Sequence, residues 1–190
     1  MKCSRLFFPF LVLSLAFLIF ACAGKPVEQI QKTEKAMEQA KAEHADEFAP
    51  EDWKAGEDAL RAANAQLDAQ KNADAATTLL KAQTRFTKAR DIAKGKREEA
   101  IKEIKNTQKT AEMRCKALHD DLDKAGKKLP AAKRKEFEDA CKVADEKIAK
   151  VTTQLQNGQY NDAKYLAGST LREVWEAQKE LEKAIGKKTS

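Results

Sequence analysis

The sequence predicts an all-α protein, built as elongated antiparallel helical hairpins or three-helix bundles that share a long central helix. Three observations predict it. Charged residues make up 35% of the 190 and aromatic residues 6%, with 7 Gly and 4 Pro; that mix favours long helices with a thin core. Apolar residues recur at alternating spacings of three and four, the pattern of paired helical seams. Turn-forming clusters at Ala49-Pro50, Lys71 to Asp74, Gly126 to Pro130 and Asn157-Gly158 cut the chain into helix-length pieces.

The first element is an export signal over residues 1–21. Lys2 and Arg5 form a basic head, Leu6 to Phe20 an apolar stretch, and small residues follow, the layout of a secretory signal peptide. The stretch is short for a membrane span, which needs about 20 residues. Ile19, Phe20, Ala21 and Cys22 resemble the lipobox of bacterial lipoproteins, where an aliphatic residue and two small ones precede a cysteine. Phe20 is bulkier than the small residue of that pattern. The resemblance implies cleavage before Cys22 and covalent N-acyl and diacylglycerol groups on it, with residues 22–26 as a short tether to the membrane. Two or three acyl chains anchor stably where one is marginal. In lipoproteins of this kind, retention in the inner membrane mainly follows an Asp after the cysteine; Ala23 implies the periplasmic face of the outer membrane. Ala21-Cys22-Ala23 also satisfies the ordinary small-x-small cleavage rule, which would release a soluble periplasmic chain beginning at Gly24.

Five helices are expected in the mature chain. The first covers 27–44. Pro50 with Glu51 and Asp52 starts the second, over 51–70, because proline and acids suit a first turn. Lys71 to Asp74 forms a tight turn, and the third helix runs from about 74 to 125. Gly126 and Pro130 stop it. The fourth covers 131–156, Asn157-Gly158 breaks it, and the fifth covers 161–185 ahead of a basic tail at 187–190.

Pairing follows from register. In an antiparallel hairpin, facing residues have a constant index sum. For the third and fourth helices the layers are Leu118/Phe137, Cys115/Cys141, Ala111/Ala144, Gln108/Ile148, Ile104/Val151 and Ile101/Leu155, centred on Lys128. Every member but Gln108 is apolar. The second and third helices pair through Trp53/Ala89, Gly56/Phe86, Leu60/Ala82, Ala63/Leu79 and Leu67/Ala75, large mostly against small. The fourth and fifth pair through Leu155/Ala163, Ile148/Thr170, Ala144/Val174 and Phe137/Leu181. Residues 27–95 therefore form an N-terminal helical unit and 96–186 a C-terminal one. Lys94, Gly95, Lys96 and Arg97 lack core residues, so the third helix either bends at Gly95 or runs through as a solvated bridge. Seam remnants on the first helix are a candidate homo-oligomer contact.

Cys22, Ala23, Gly24, Lys25 and Pro26, then a short helix, then Ala49, Pro50, Glu51, Asp52 and Trp53, with Ala59 and Leu60 after them, resemble the alanine- and lysine-rich helical lipoproteins of bacteria with a domain of unknown function. The resemblance covers residues 22–95. It implies an outer-membrane lipoprotein and brings no activity with it.

Cys115 and Cys141 share a layer flanked by Ala111 and Ala144. Export places them in an oxidising compartment, and close backbones suit the roughly 5.5–6 Å Cα spacing of a disulfide. A structural disulfide is expected. His119, one turn past Cys115, raises a zinc reading with Cys141, but no fourth ligand is evident in the sequence. No metal, and no cofactor beyond the lipid, is expected. Lys124, Lys127, Lys128, Lys133, Arg134 and Lys135 cluster at one hairpin tip, a candidate contact for an anionic surface. Trp53 and Trp175 suit seam packing.

No nucleophile elbow, phosphate loop or zinc-protease motif occurs, and the acids sit beside Lys and Arg at helical spacing. An enzyme is not expected. The formal charge of +6 fits anionic lipid or polymer, and an exported chain meets no nucleic acid. The expectation is a membrane-anchored periplasmic spacer or adaptor contacting another envelope protein. The alternative is a module that binds cell-wall polymer through its basic tip.

Overall fold

A computed structural model describes residues 24–186. The expected signal segment over 1–21, Cys22 and the tail at 187–190 lie outside the described residues. Within them the fold is all-α: α1 (Val27–Ala42), α2 (Ala45–Phe48), α3 (Pro50–Asp68), α4 (Asn72–Ala125), a 3-10 turn (Gly126–Lys128), α5 (Ala131–Gln156) and α6 (Tyr160–Ala184). The long helix α4 is common to two compact units, which divide between Arg97 and Glu98. Its helical backbone is unbroken at Gly95.

In the N-terminal unit, α1, α2 and α3 pack on the first part of α4. Ala36, Ala40, Ala45, Ala49, Ala82, Phe86, Ala89 and Ala93 form one buried cluster, flanked by Met37, Phe48, Trp53, Leu60 and Ile92. The expected layer Gly56/Phe86 is in direct contact, and Trp53 meets Phe86 edge-on with ring centroids 5.3 Å apart. Asp52 takes Arg85 at 2.9 Å and Lys88 at 3.0 Å, which holds its carboxyl below the usual range. The buried Thr33 donates its hydroxyl hydrogen between Gln29 O at 2.7 Å and Leu79 O at 3.1 Å, tying α1 to α4. The face of α1 bearing Thr33, Ala36 and Ala40 is thus buried in its own unit.

In the C-terminal unit, the end of α4 packs with α5 and α6. Ala111, Cys115, Leu118, Leu122, Phe137, Cys141, Ala144, Ile148, Val174 and Leu181 belong to one buried cluster. The polar member of the seam, Gln108, donates its amide to Thr152 Oγ1 at 3.0 Å and Glu112 Oε1 at 3.1 Å. Thr170, fully buried, bonds back to Leu166 O at 2.7 Å. The glycine signals act as expected at the turns: Gly126 (φ 51°) and Gly158 (φ 72°) adopt the left-handed conformation that ends a helix.

Three boundaries differ from expectation. The first helix stops at Ala42, because His44 turns left-handed (φ 57°) and the short α2 follows. The reversal drives Ala45 and Ala49 into the core. The turn before α4 is made by Ala69 to Lys71 rather than Lys71 to Asp74. Gln70 is left-handed (φ 58°) and Lys71 N bonds Gln66 O at 2.8 Å, so Asn72 already opens the helix. The last helix begins at Tyr160, whose side chain is buried.

Gly56 sits where a Cβ would come within 2.7 Å of Phe86 Cε1, whereas a Cβ at Gly95 meets nothing within 4 Å. Overpacking costs about 1–3 kcal/mol; replacing a mid-helix glycine by alanine gains about 0.5–1 kcal/mol. Denaturant unfolding should therefore show Gly56→Ala destabilised by about 1 kcal/mol and Gly95→Ala stabilised by about 0.5–1 kcal/mol.

Candidate functional site

The densest group of chemically competent side chains lies where α4 meets α5. Cys115 and Cys141 fall in one layer, as their register predicts, and both are buried, at 1% and 0% exposure. Helical side chains lean toward their own N-terminus. His119 stands one turn beyond Cys115 on α4 and leans back over it. Asp145 stands one turn beyond Cys141 on the antiparallel α5 and leans back from the other side. The two helices thus bring Cys115, His119 and Cys141 together, with Asp145 beside them.

The distances follow. A ring nitrogen of His119 and the sulfurs of Cys115 and Cys141 lie within 4.8 Å of one another. The Cys115 thiol donates to Asp145 Oδ1 at 3.3 Å, with the Cys141 carbonyl 3.8 Å from the same sulfur. His119 Nε2 is 3.6 Å from Asp145 Oδ2. The sulfurs form the floor; His119 and Asp145, about half-exposed, form the rim. Burial pushes the Cys115 thiol up to about 12, and the adjacent Asp145 carboxylate adds to the shift. Burial also raises Cys141. Both are protonated thiols at neutral pH.

The disulfide expected between Cys115 and Cys141 is not formed in the structure, where both are free. Their sulfurs fill the layer as small apolar groups, and the Cys115 proton is directed at Asp145 rather than lost to a bond. Asp145, not evident in the sequence as a neighbour of this trio, stands beside Cys115 and His119. Its index does not match His119 in the seam register, so face-to-face pairing overlooks it. The backward lean of side chains at i,i+4 on antiparallel helices is the signal that finds it.

The basic tip is partly neutralised. Lys133 pairs with Glu136 at 2.7 Å, and Arg134 with Glu138 at 2.9 Å and Asp123 at 3.5 Å. Lys124, Lys128 and Lys135 are exposed; Lys127 belongs to the 3-10 turn. Cys22, the expected lipid site, is outside the described residues. Trp53 is in the core as expected, whereas Trp175 is 41% exposed, with Lys179 Nζ 3.7 Å above its ring. The groove between α5 and α6 is lined by Leu118, Ala140, Val143 and Val174 with acids at its margin. No described helix is long and apolar enough to cross a membrane.

Compared with protein-family models, curated proteins and solved structures, the chain matches none.

The raised thiols predict a pH response in reduced protein. Their folded-state pKa values exceed the ordinary thiol value, so the stabilisation is intact below about 9 and is lost as pH rises toward about 12. Unfolding free energies measured across that window should fall more steeply for the wild type than for Cys115→Ala. Equal slopes would contradict the assigned burial of the thiol.

Proposed function

We propose that this chain is an exported, lipid-anchored, non-catalytic helical protein of the bacterial envelope, serving as a spacer or adaptor. The observation that carries the reading is Cys22, placed where the apolar run Leu6 to Phe20 ends and shortly before the first proline of the mature chain, Pro26. A thiol there accepts acyl chains, and attachment through it needs no spanning helix.

The described body supports the adaptor role over a catalytic one. Its helices turn charged faces outward and pair those charges with each other: Lys32 with Glu28, Lys147 with Glu173, Lys164 with Glu103. Such surfaces present shape and charge to a partner. The groove of the C-terminal unit is lined mainly by alanine and branched aliphatic groups, without the convergent polar groups that catalysis demands. Binding of an anionic polymer through the hairpin tip is the weaker reading, because two of its six cations are already matched by carboxylates.

Cells expressing the full chain and fed an alkyne-tagged fatty acid test the anchor. The wild type should carry the tag and fractionate with membranes; Cys22→Ser should do neither. An untagged wild type whose recovered N-terminus is Gly24, or still Met1, would reject the anchored reading. Crosslinking in the same cells should capture a protein partner, whereas sedimentation with purified peptidoglycan would favour the polymer-binding alternative.

A further inference from the structure

We propose that Cys115, His119, Cys141 and Asp145 form a binding site for a divalent metal of the zinc class. The inference goes beyond the anchored reading and does not rest on it, since it concerns only the α4–α5 hairpin.

The donor set is the first argument. Two thiolates, one imidazole and one carboxylate are ligands that zinc accepts, and four of them complete a tetrahedron. Thiolate with imidazole selects a borderline-soft ion over magnesium or calcium, which prefer oxygen alone. The spacing is the second. Each helix supplies a pair four residues apart, so both donors of a pair lie on one face, and the antiparallel lean brings the two pairs together.

The distances are the third. A tetrahedron with ordinary zinc bonds has edges of about 3.3–3.8 Å between donor atoms. Asp145 stands beside two of these donors, with Oδ1 3.3 Å from Cys115 Sγ and Oδ2 3.6 Å from His119 Nε2; ligation through a single oxygen needs its carboxylate to turn. The cysteine–histidine trio spans at most 4.8 Å, so closing on an ion needs a contraction of up to about 1 Å to the longest tetrahedral edge. His119 is about half-exposed, so its ring has room to turn toward the sulfurs. The rim position of His119 and Asp145 also gives the ion a route to the buried sulfurs.

Binding is a proton exchange with no redox step. The two thiols release their protons to solvent, and the sulfur lone pairs bond to the ion. With four protein donors no coordination position is left for substrate, so the site is structural. It clamps α4 to α5 in the middle of the hairpin.

The experiment uses the full chain, purified with a phosphine reductant and without chelator. Titration with cobalt(II) should saturate at one equivalent with thiolate charge-transfer absorption and the intense visible bands of a tetrahedral ion, and zinc(II) should displace it. His119→Ala and Asp145→Asn should each weaken binding by at least about tenfold. Neither side chain is buried, so their metal-free circular dichroism and melting should match the wild type. Cys115→Ser with Cys141→Ser should abolish the charge-transfer band. Three results overturn the site: no saturable cobalt binding, variants at His119 and Asp145 that bind like the wild type, or a Cys115–Cys141 disulfide in protein taken from cells without reductant.

Discussion

The helices of this chain have little apolar bulk to share, so they cohere by approaching closely. Ala36, Ala40, Ala63, Ala82, Ala89 and Ala93 line the N-terminal unit, and its largest buried side chain, Phe86, stands against Gly56. Attraction between packed surfaces falls off within an ångström of separation, and an interior at native density has no room for an extra methyl. A seam of small groups is therefore demanding about register. A slip of one helical position would set Phe86 against a side chain and leave the backbones apart. The same demand operates in the C-terminal unit, where Ala111 and Ala144, paired in the layer next to the cysteines, bring α4 and α5 together. Position in that layer is what gives Cys115, and through it His119 and Asp145, a common focus.

Much of this register is legible in the amino-acid sequence, because it depends only on residue size at fixed spacing. The α5 bounds and the layers Gly56/Phe86 and Cys115/Cys141 follow from apolar periodicity and from Gly126, Pro130 and Gly158. What is not legible has physical causes. His44 and Gln70 adopt left-handed conformations that their residue types rarely announce, so α1 ends and α4 starts earlier than periodicity alone places them. The docking of α1 depends on Thr33, whose hydroxyl satisfies a carbonyl on α4; its polarity disguises it as a non-core position. Gly95 has the look of a hinge, yet a solvated glycine costs an α-helix only about 1 kcal/mol, too little to break α4 when helix-forming residues flank it. In the candidate site, the cysteine pair is visible as a layer. Asp145 is hidden, because it belongs to that layer by the tilt of its side chain and not by its place in the seam.

Three chemistries compete to explain the α4–α5 cluster, and they use different numbers of its residues. Packing alone needs the two sulfurs as small apolar groups and Asp145 as acceptor for the Cys115 thiol, and gives the His119 ring no more than its contact with Asp145. A disulfide needs only Cys115 and Cys141. It would close a loop of 26 residues, worth about 3 kcal/mol in the chain-entropy picture, but it is gained equally with any residues at positions 119 and 145. A metal ion employs all four. It also builds on a contact already present, the Asp145 carboxylate that accepts the Cys115 thiol proton and so opposes loss of that proton. Replacing the thiol protons by a doubly charged cation turns that contact from one that opposes ionisation into one that ligation rewards. Because ion and disulfide would occupy the same sulfurs, the hairpin can carry only one of these clamps at a time. The placement of a histidine and a carboxylate around the sulfurs is the feature that sets the metal apart from the other two.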